Sequence, residues 1–197
     1  LAREGLSLTD EERRMIAYHE AGHALVAAVL PHADPIHKVT IVPRGRAMGV
    51  TQQLPEREKY IYPREYMLDR LAVMMGGRAA ELLIFDTATS GAENDLKQAT
   101  ELARRMVLDW GMSEQFDTMA LGGRSQQVFL GEEIAHRREY SESTAREVDK
   151  EIKIILDGAF QQARQTLHDR KQDLEKIADA LLENEEVPGE DVLALIQ

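Results

Sequence analysis

The sequence predicts a mainly α domain that carries one small β-hairpin or sheet beside its first helix. Three observations lead there. Apolar residues recur at helical spacing over most of the chain. Only one pair of neighbouring segments, 37–43 and 48–54, has the alternation and β-branched residues of strands. Hydrophobic residues make up 43% of the 197, enough for a sizeable core.

The first helix starts at a capping box. Thr9-Asp10-Glu11-Glu12 places a hydroxyl at the N-cap and a carboxylate three residues on. No proline follows before Pro31, so the helix runs to Leu30, about five to six turns at 3.6 residues per turn. Its apolar stripe contains Ile16, His19, Glu20, His23, Ala27 and Leu30. Residues 31–35 break it. His37 to Val42 reads as a strand, Arg44-Gly45-Arg46 as a turn, and Met48 to Leu54 as a second strand. A free edge there, at Lys38, Val39, Thr40, Ile41 and Val42 or at 48–54, would accept an extended peptide as an added strand. The hairpin would equally serve as a cover for the first helix.

A second helix is expected from Pro63 to Leu83, with Leu68, Leu71, Ala72, Met75, Ala79 and Leu82 as its stripe. Gly76-Gly77 inside it marks the close approach of another helix. Thr89-Ser90-Gly91 opens a third helix that Gly111 ends, with Asp95, Leu96, Ala99, Leu102, Ala103, Met106 and Val107 on its stripe. Residues 113–143 are expected to be rich in loops. A long helix from Thr144 to His168, another from Asp173 to Asn184 and a short helical tail complete the chain. Each long helix has an apolar stripe, and part of that area is expected to meet another subunit. The whole reads as a single domain, with a core at 1–112, the loop-rich segment at 113–143 and C-terminal helices at 144–197.

Composition excludes several classes. A formal charge of −11 argues against a nucleic-acid surface. The absence of cysteine rules out disulfides and thiolate-held zinc. No apolar run is long enough to span a membrane. The chain begins at Leu1 without a signal peptide and reads as part of something longer.

The chemistry concentrates at His19-Glu20-Ala21-Gly22-His23. Histidines four apart on a helix project from one face and can bind one tetrahedral metal ion. Glu20, about 100° round from His19, can face that ion without ligating it and act as a general base. A third ligand is needed. His32, His37, His136 and His168 are poor candidates by position. Among the acids of the second and third helices, Asp95 alone lies in the middle of an apolar stripe. Glu81 falls about 140° off its stripe and Glu101 about 120° off the direction of Asp95. Asp95 would otherwise cap its own helix, but it lies a turn inside, which favours the ligand reading.

Met15-Ile16-Ala17-Tyr18-His19-Glu20-Ala21-Gly22-His23-Ala24-Leu25-Val26 resembles the protease domain of the FtsH family of membrane-anchored, ATP-dependent zinc metalloproteases. So do Ala33 to Ile41, Gly76 to Glu81, Thr89 to Asp95 and Trp110 to Ser113, with Tyr140-Ser141, Thr144-Ala145 and Val148-Asp149 extending the likeness. The resemblance implies a helical zinc-metalloprotease domain, with Zn²⁺ on His19, His23 and Asp95 and Glu20 as base. It also implies a homo-oligomeric ring of six, an ATPase module in the same parent chain and polypeptide substrates. The parent would be anchored in a bacterial inner membrane, or an organelle equivalent, with this domain in the cytoplasm. The alternative is a metal-binding oligomerisation module of the same assembly without activity of its own.

Overall fold

The computed structural model describes residues 8–43, 48–122 and 140–196. The expected turn at Arg44-Gly45-Arg46 and the charged run around His136 lie outside the described residues. Among the described residues there are six α-helices and three strands: α1 Asp10–Val29, β1 Ile36–Thr40, β2 Val50–Gln53, α2 Arg64–Phe85, α3 Glu93–Leu108, α4 Glu142–Asp169, α5 Lys171–Asn184, β3 Glu186–Pro188 and α6 Gly189–Leu195. No helix among them is long and apolar enough to cross a membrane.

The helix ends follow the cap chemistry. Thr9 Oγ1 accepts from Glu12 N at 3.2 Å while Glu12 Oε2 accepts from Thr9 N at 2.8 Å, so the capping box is closed. Ser141 Oγ caps α4 by accepting from Thr144 N at 3.2 Å. Gly111 takes the left-handed φ of 58° beyond α3, and Met112 N returns to Met106 O at 2.8 Å.

α1 forms the axis of the molecule. It packs against α2 and α4, α5 closes another side, and the sheet covers a further one. Its contact with α2 is made at glycine. A Cβ on Gly76 would stand 2.6 Å from Gly22 O, and one on Gly22 2.7 Å from the Ala80 Cβ. Only hydrogen at both positions lets the two backbones approach this closely. From Ala17 to Ala27 every α1 residue but His19 is buried, so the single inward stripe widens to nearly the whole circumference.

The expected β-hairpin is present as β1 and β2, and a third strand extends it. The sheet is three-stranded, antiparallel and ordered β2-β1-β3. β3 holds three residues, one a proline, too short to give a periodic signal and suited to a sheet edge. It pairs Val187 with Val39, and Ile41 N continues the contact by donating to Glu185 O at 2.9 Å. β1 is therefore central, and the expected strand addition along Lys38, Val39, Thr40, Ile41 and Val42 has no free edge to use. β2 is the edge strand beside it.

The stripes of α4 and α5 are covered within the chain. Val148, Ile152, Ile155, Ala159 and Ala163 of α4 and Leu174, Ile177, Ala178 and Leu181 of α5 join the one core. The expectation that these faces meet another subunit therefore has no support from them. Leu82 and Leu96, read as stripe members, are 39% and 38% exposed.

Candidate metal centre

Three elements converge on one point. α1 delivers His19 and His23, whose rings meet edge to face with centroids 4.7 Å apart. The first turn of α3 delivers Asp95. Thr89, whose side chain accepts from Gly91 N, sets the short 3₁₀ turn at 90–92 that leads into α3. His19 Nε2 and His23 Nε2 are 3.0 Å apart, and Asp95 Oδ2 lies 3.1 Å from the first and 3.3 Å from the second. Ligands held about 2.0–2.1 Å from a tetrahedral zinc are separated by about 3.3–3.4 Å. His19, His23 and Asp95 thus form a group that could hold an ion.

The other ring nitrogens explain why the pair points this way. His19 Nδ1 donates to Glu81 Oε1 at 2.7 Å and His23 Nδ1 donates to the Val73 carbonyl at 2.6 Å. Both Nε2 lone pairs therefore face each other and a carboxylate. Three electron-rich atoms around one point repel unless a cation, or a proton in its place, lies among them. The donor set fits zinc in both geometry and chemistry.

The electrostatics follow from this crowding. Burial pulls the His19 imidazolium down, but hydrogen bonds to Asp95 and Glu81 and the charge of Glu20 outweigh it and raise the group to about 9. Burial pushes Asp95 up, yet hydrogen bonds from His19 and then His23 hold it well below the usual carboxylate range. Glu81 is also lowered: burial opposes this, and hydrogen bonds from His19, Thr89 N and Thr89 Oγ1 overcome it.

α2 supplies the floor. A Cβ on Gly77 would stand 2.6 Å from His23 Nε2 and closer still to the His19 ring, so the rings can occupy this place only above glycine. Glu81, at 1% exposure, was missed as a functional residue because it lies off the stripe of Leu68 to Leu82. α2 is buried on nearly every side, so an acid off the stripe is still inside. Its available signal was the pairing with Gly76-Gly77 one turn before it. Glu101, by contrast, is exposed, as expected of an acid off the stripe. His37 and His168 are exposed, and His32 binds Asp69 through N and Nδ1 at 2.9 and 3.3 Å, away from the centre.

Glu20 is 7% exposed, and its Oε2 accepts from Thr51 Oγ1 at 2.8 Å. An open groove of about 1210 Å³ runs past the three candidate ligands and Glu20, with β2 along one wall.

Comparison with known proteins gives the chain's family. The profile of peptidase family M41 matches residues 6–195. The chain is 64% identical over its full length to an "ATP-dependent zinc metalloprotease FtsH 2" of Salinibacter ruber, of which it spans 29%. It is 52% identical, over 98% of its length, to an "ATP-dependent zinc metalloprotease FtsH" of Acidimicrobium ferrooxidans, again spanning 29%. A protein of the same name from Thermotoga maritima is 43% identical over 99% of the chain, which spans 32% of it. The chain thus covers about a third or less of these FtsH relatives, and it belongs to peptidase family M41.

Proposed function

We propose that this single domain is a zinc endopeptidase, with His19 Nε2, His23 Nε2 and Asp95 as metal ligands and Glu20 as general base. The observation that carries the proposal is the convergence of both Nε2 atoms and the Asp95 carboxylate on one point, in a groove that Glu20 also lines. When bound, zinc supplies a Lewis acid that polarises the scissile carbonyl and lowers the pKa of water toward about 7. Glu20 would act as the proton carrier, its carboxylate accepting a proton from the attacking water and returning it to the leaving amine. Glu81 and the Val73 carbonyl fix the tautomers of the two histidines. Thr89, by two hydrogen bonds, keeps Glu81 in place.

Substrates pair as an added strand along β2, the sheet edge on the groove, and main-chain pairing suits unfolded or membrane-protein chains of varied sequence. An ATPase module elsewhere in the parent chain delivers them. The relatives' printed names include ATP dependence, and their greater length leaves room for that module. A ring of six, and a parent anchored in a bacterial inner membrane with this domain on the cytoplasmic side, rest on the resemblance to the FtsH family alone.

The test is hydrolysis of an unfolded protein by zinc-loaded protein, chelated protein and Glu20→Gln. The loaded wild type cleaves, chelation abolishes cleavage, and Glu20→Gln lowers the rate about 10²- to 10⁴-fold with zinc retained. A wild type that holds zinc and cleaves nothing would identify the chain as a metal-binding module of the assembly instead.

A further inference from the structure

We propose that Thr51 is the positioning residue for Glu20: its hydroxyl, reaching from β2, selects one rotamer of the carboxylate in the groove that holds the three candidate ligands. This rests on Glu20 as the base.

A glutamate has three side-chain torsions, and a base that swings freely spends little time within reach of its proton. Among the described residues, the Glu20 carboxylate has one hydrogen-bond partner, Thr51 Oγ1, 2.8 Å from Oε2. The same hydroxyl lies 3.1 Å from the Glu20 main-chain carbonyl. Thr51 therefore reads both ends of one residue, 31 positions away in sequence. A hydroxyl has one proton to give, and the shorter, charge-assisted contact is the one to the carboxylate.

Two residues before Thr51, the strand closes the other side. A Cβ on Gly49 would stand 2.7 Å from Glu20 Cγ and 2.8 Å from Oε1, so the chain here passes against the glutamate with no room for a side chain. One face of the Glu20 side chain is walled by Gly49 and one oxygen is tied by Thr51. Both contacts come from the groove wall formed by the edge strand and the residue that leads into it. A tie needed only to hold β2 to α1 would use the main-chain carbonyl and leave the carboxylate alone.

Thr51→Val keeps the shape of the side chain and removes its donor. Thr51→Ser keeps the donor. In zinc-loaded protein, Thr51→Val lowers kcat for a quenched peptide about tenfold or more, with KM, zinc stoichiometry and Tm close to wild type. Thr51→Ser restores most of kcat. A crystal structure of zinc-loaded Thr51→Val shows the Glu20 carboxylate turned away or split between rotamers, a readout that does not need activity. Glu20 unmoved in that structure, kcat within about twofold of wild type, or a fall in kcat that only tracks loss of zinc or of Tm would each overturn the proposal. If the loaded wild type cleaves nothing, the peptidase reading fails, and the Glu20 rotamer still decides the role of Thr51.

Discussion

The α1–α2 pair and the α4–α5 pair are both long buried helices, and they are buried in different ways. α1 and α2 meet backbone to backbone at Gly22 and Gly76, with neighbours around most of their circumference. α4 and α5 each bury one face of Ile, Val, Leu and Ala and leave the other to solvent. The first pair, with Asp95 from α3, carries the candidate centre, and α4 and α5 pack against it through their apolar faces. Chemistry is placed where the backbone itself is immobilised, because ligand atoms must be held within a few tenths of an ångström. Stability is gathered where side chains can be exchanged with modest loss.

The sharpest contrast uses one substitution from each pair. Gly77→Ala puts a methyl into the space of the His19 and His23 rings, so zinc affinity falls more than about 100-fold. Ile155→Ala in α4 leaves a cavity and lowers stability by about 2–5 kcal/mol, while zinc stoichiometry and kcat in the folded protein stay unchanged. Zinc titration with a competing chelator, alongside denaturant unfolding, measures both. Equal zinc loss in the two variants would erase the distinction between the pairs.

A smaller effect is expected at Glu81. Glu81→Gln keeps an acceptor for His19 Nδ1 and removes the charge, so zinc affinity falls about 10- to 100-fold and the fold stays intact. Unchanged affinity would mean that Glu81 only anchors Thr89.

The smallest effect is a proton count. In metal-free protein the His19 pKa is raised to about 9, above the unfolded value of about 6.5. The stability His19 contributes is then fully present below pH 6.5 and is lost as pH rises through about 9. Zinc needs the same nitrogen unprotonated, so binding at pH 7.5 expels about one proton from His19, and none by about pH 10. Calorimetry in buffers of different ionisation enthalpy gives this number. A count of zero at pH 7.5 would place the proton elsewhere.

How much was legible in the sequence follows the same division. The amphipathic helices α3, α4 and α5 show their inward faces as stripes, and side-chain caps at Thr9 and Ser141 mark the starts of α1 and α4. His19, Glu20 and His23 are readable because their spacing is itself the geometry, and Asp95 because an acid within an apolar stripe stands out. Glu81 was hidden because α2 is buried nearly all round, so the angle from a stripe carries little information there. Thr51 and Gly49 act across the fold on a residue about 30 positions away, a contact that no local pattern encodes. β3 was hidden by its length, and with it the fact that β1 has two neighbours.

The proposed function stands most directly on which atoms hold the metal. An anomalous-diffraction map of zinc-loaded protein, collected on both sides of the zinc edge, locates the ion relative to every candidate. The expected result is one peak per chain, within about 2.0–2.2 Å of His19 Nε2, His23 Nε2 and an Asp95 carboxylate oxygen. Glu81 remains on His19 Nδ1 and Glu20 stays beside the ion, outside its ligand set. A peak ligated by Glu81 in place of Asp95, or no peak at this point in protein that binds zinc, would contradict it.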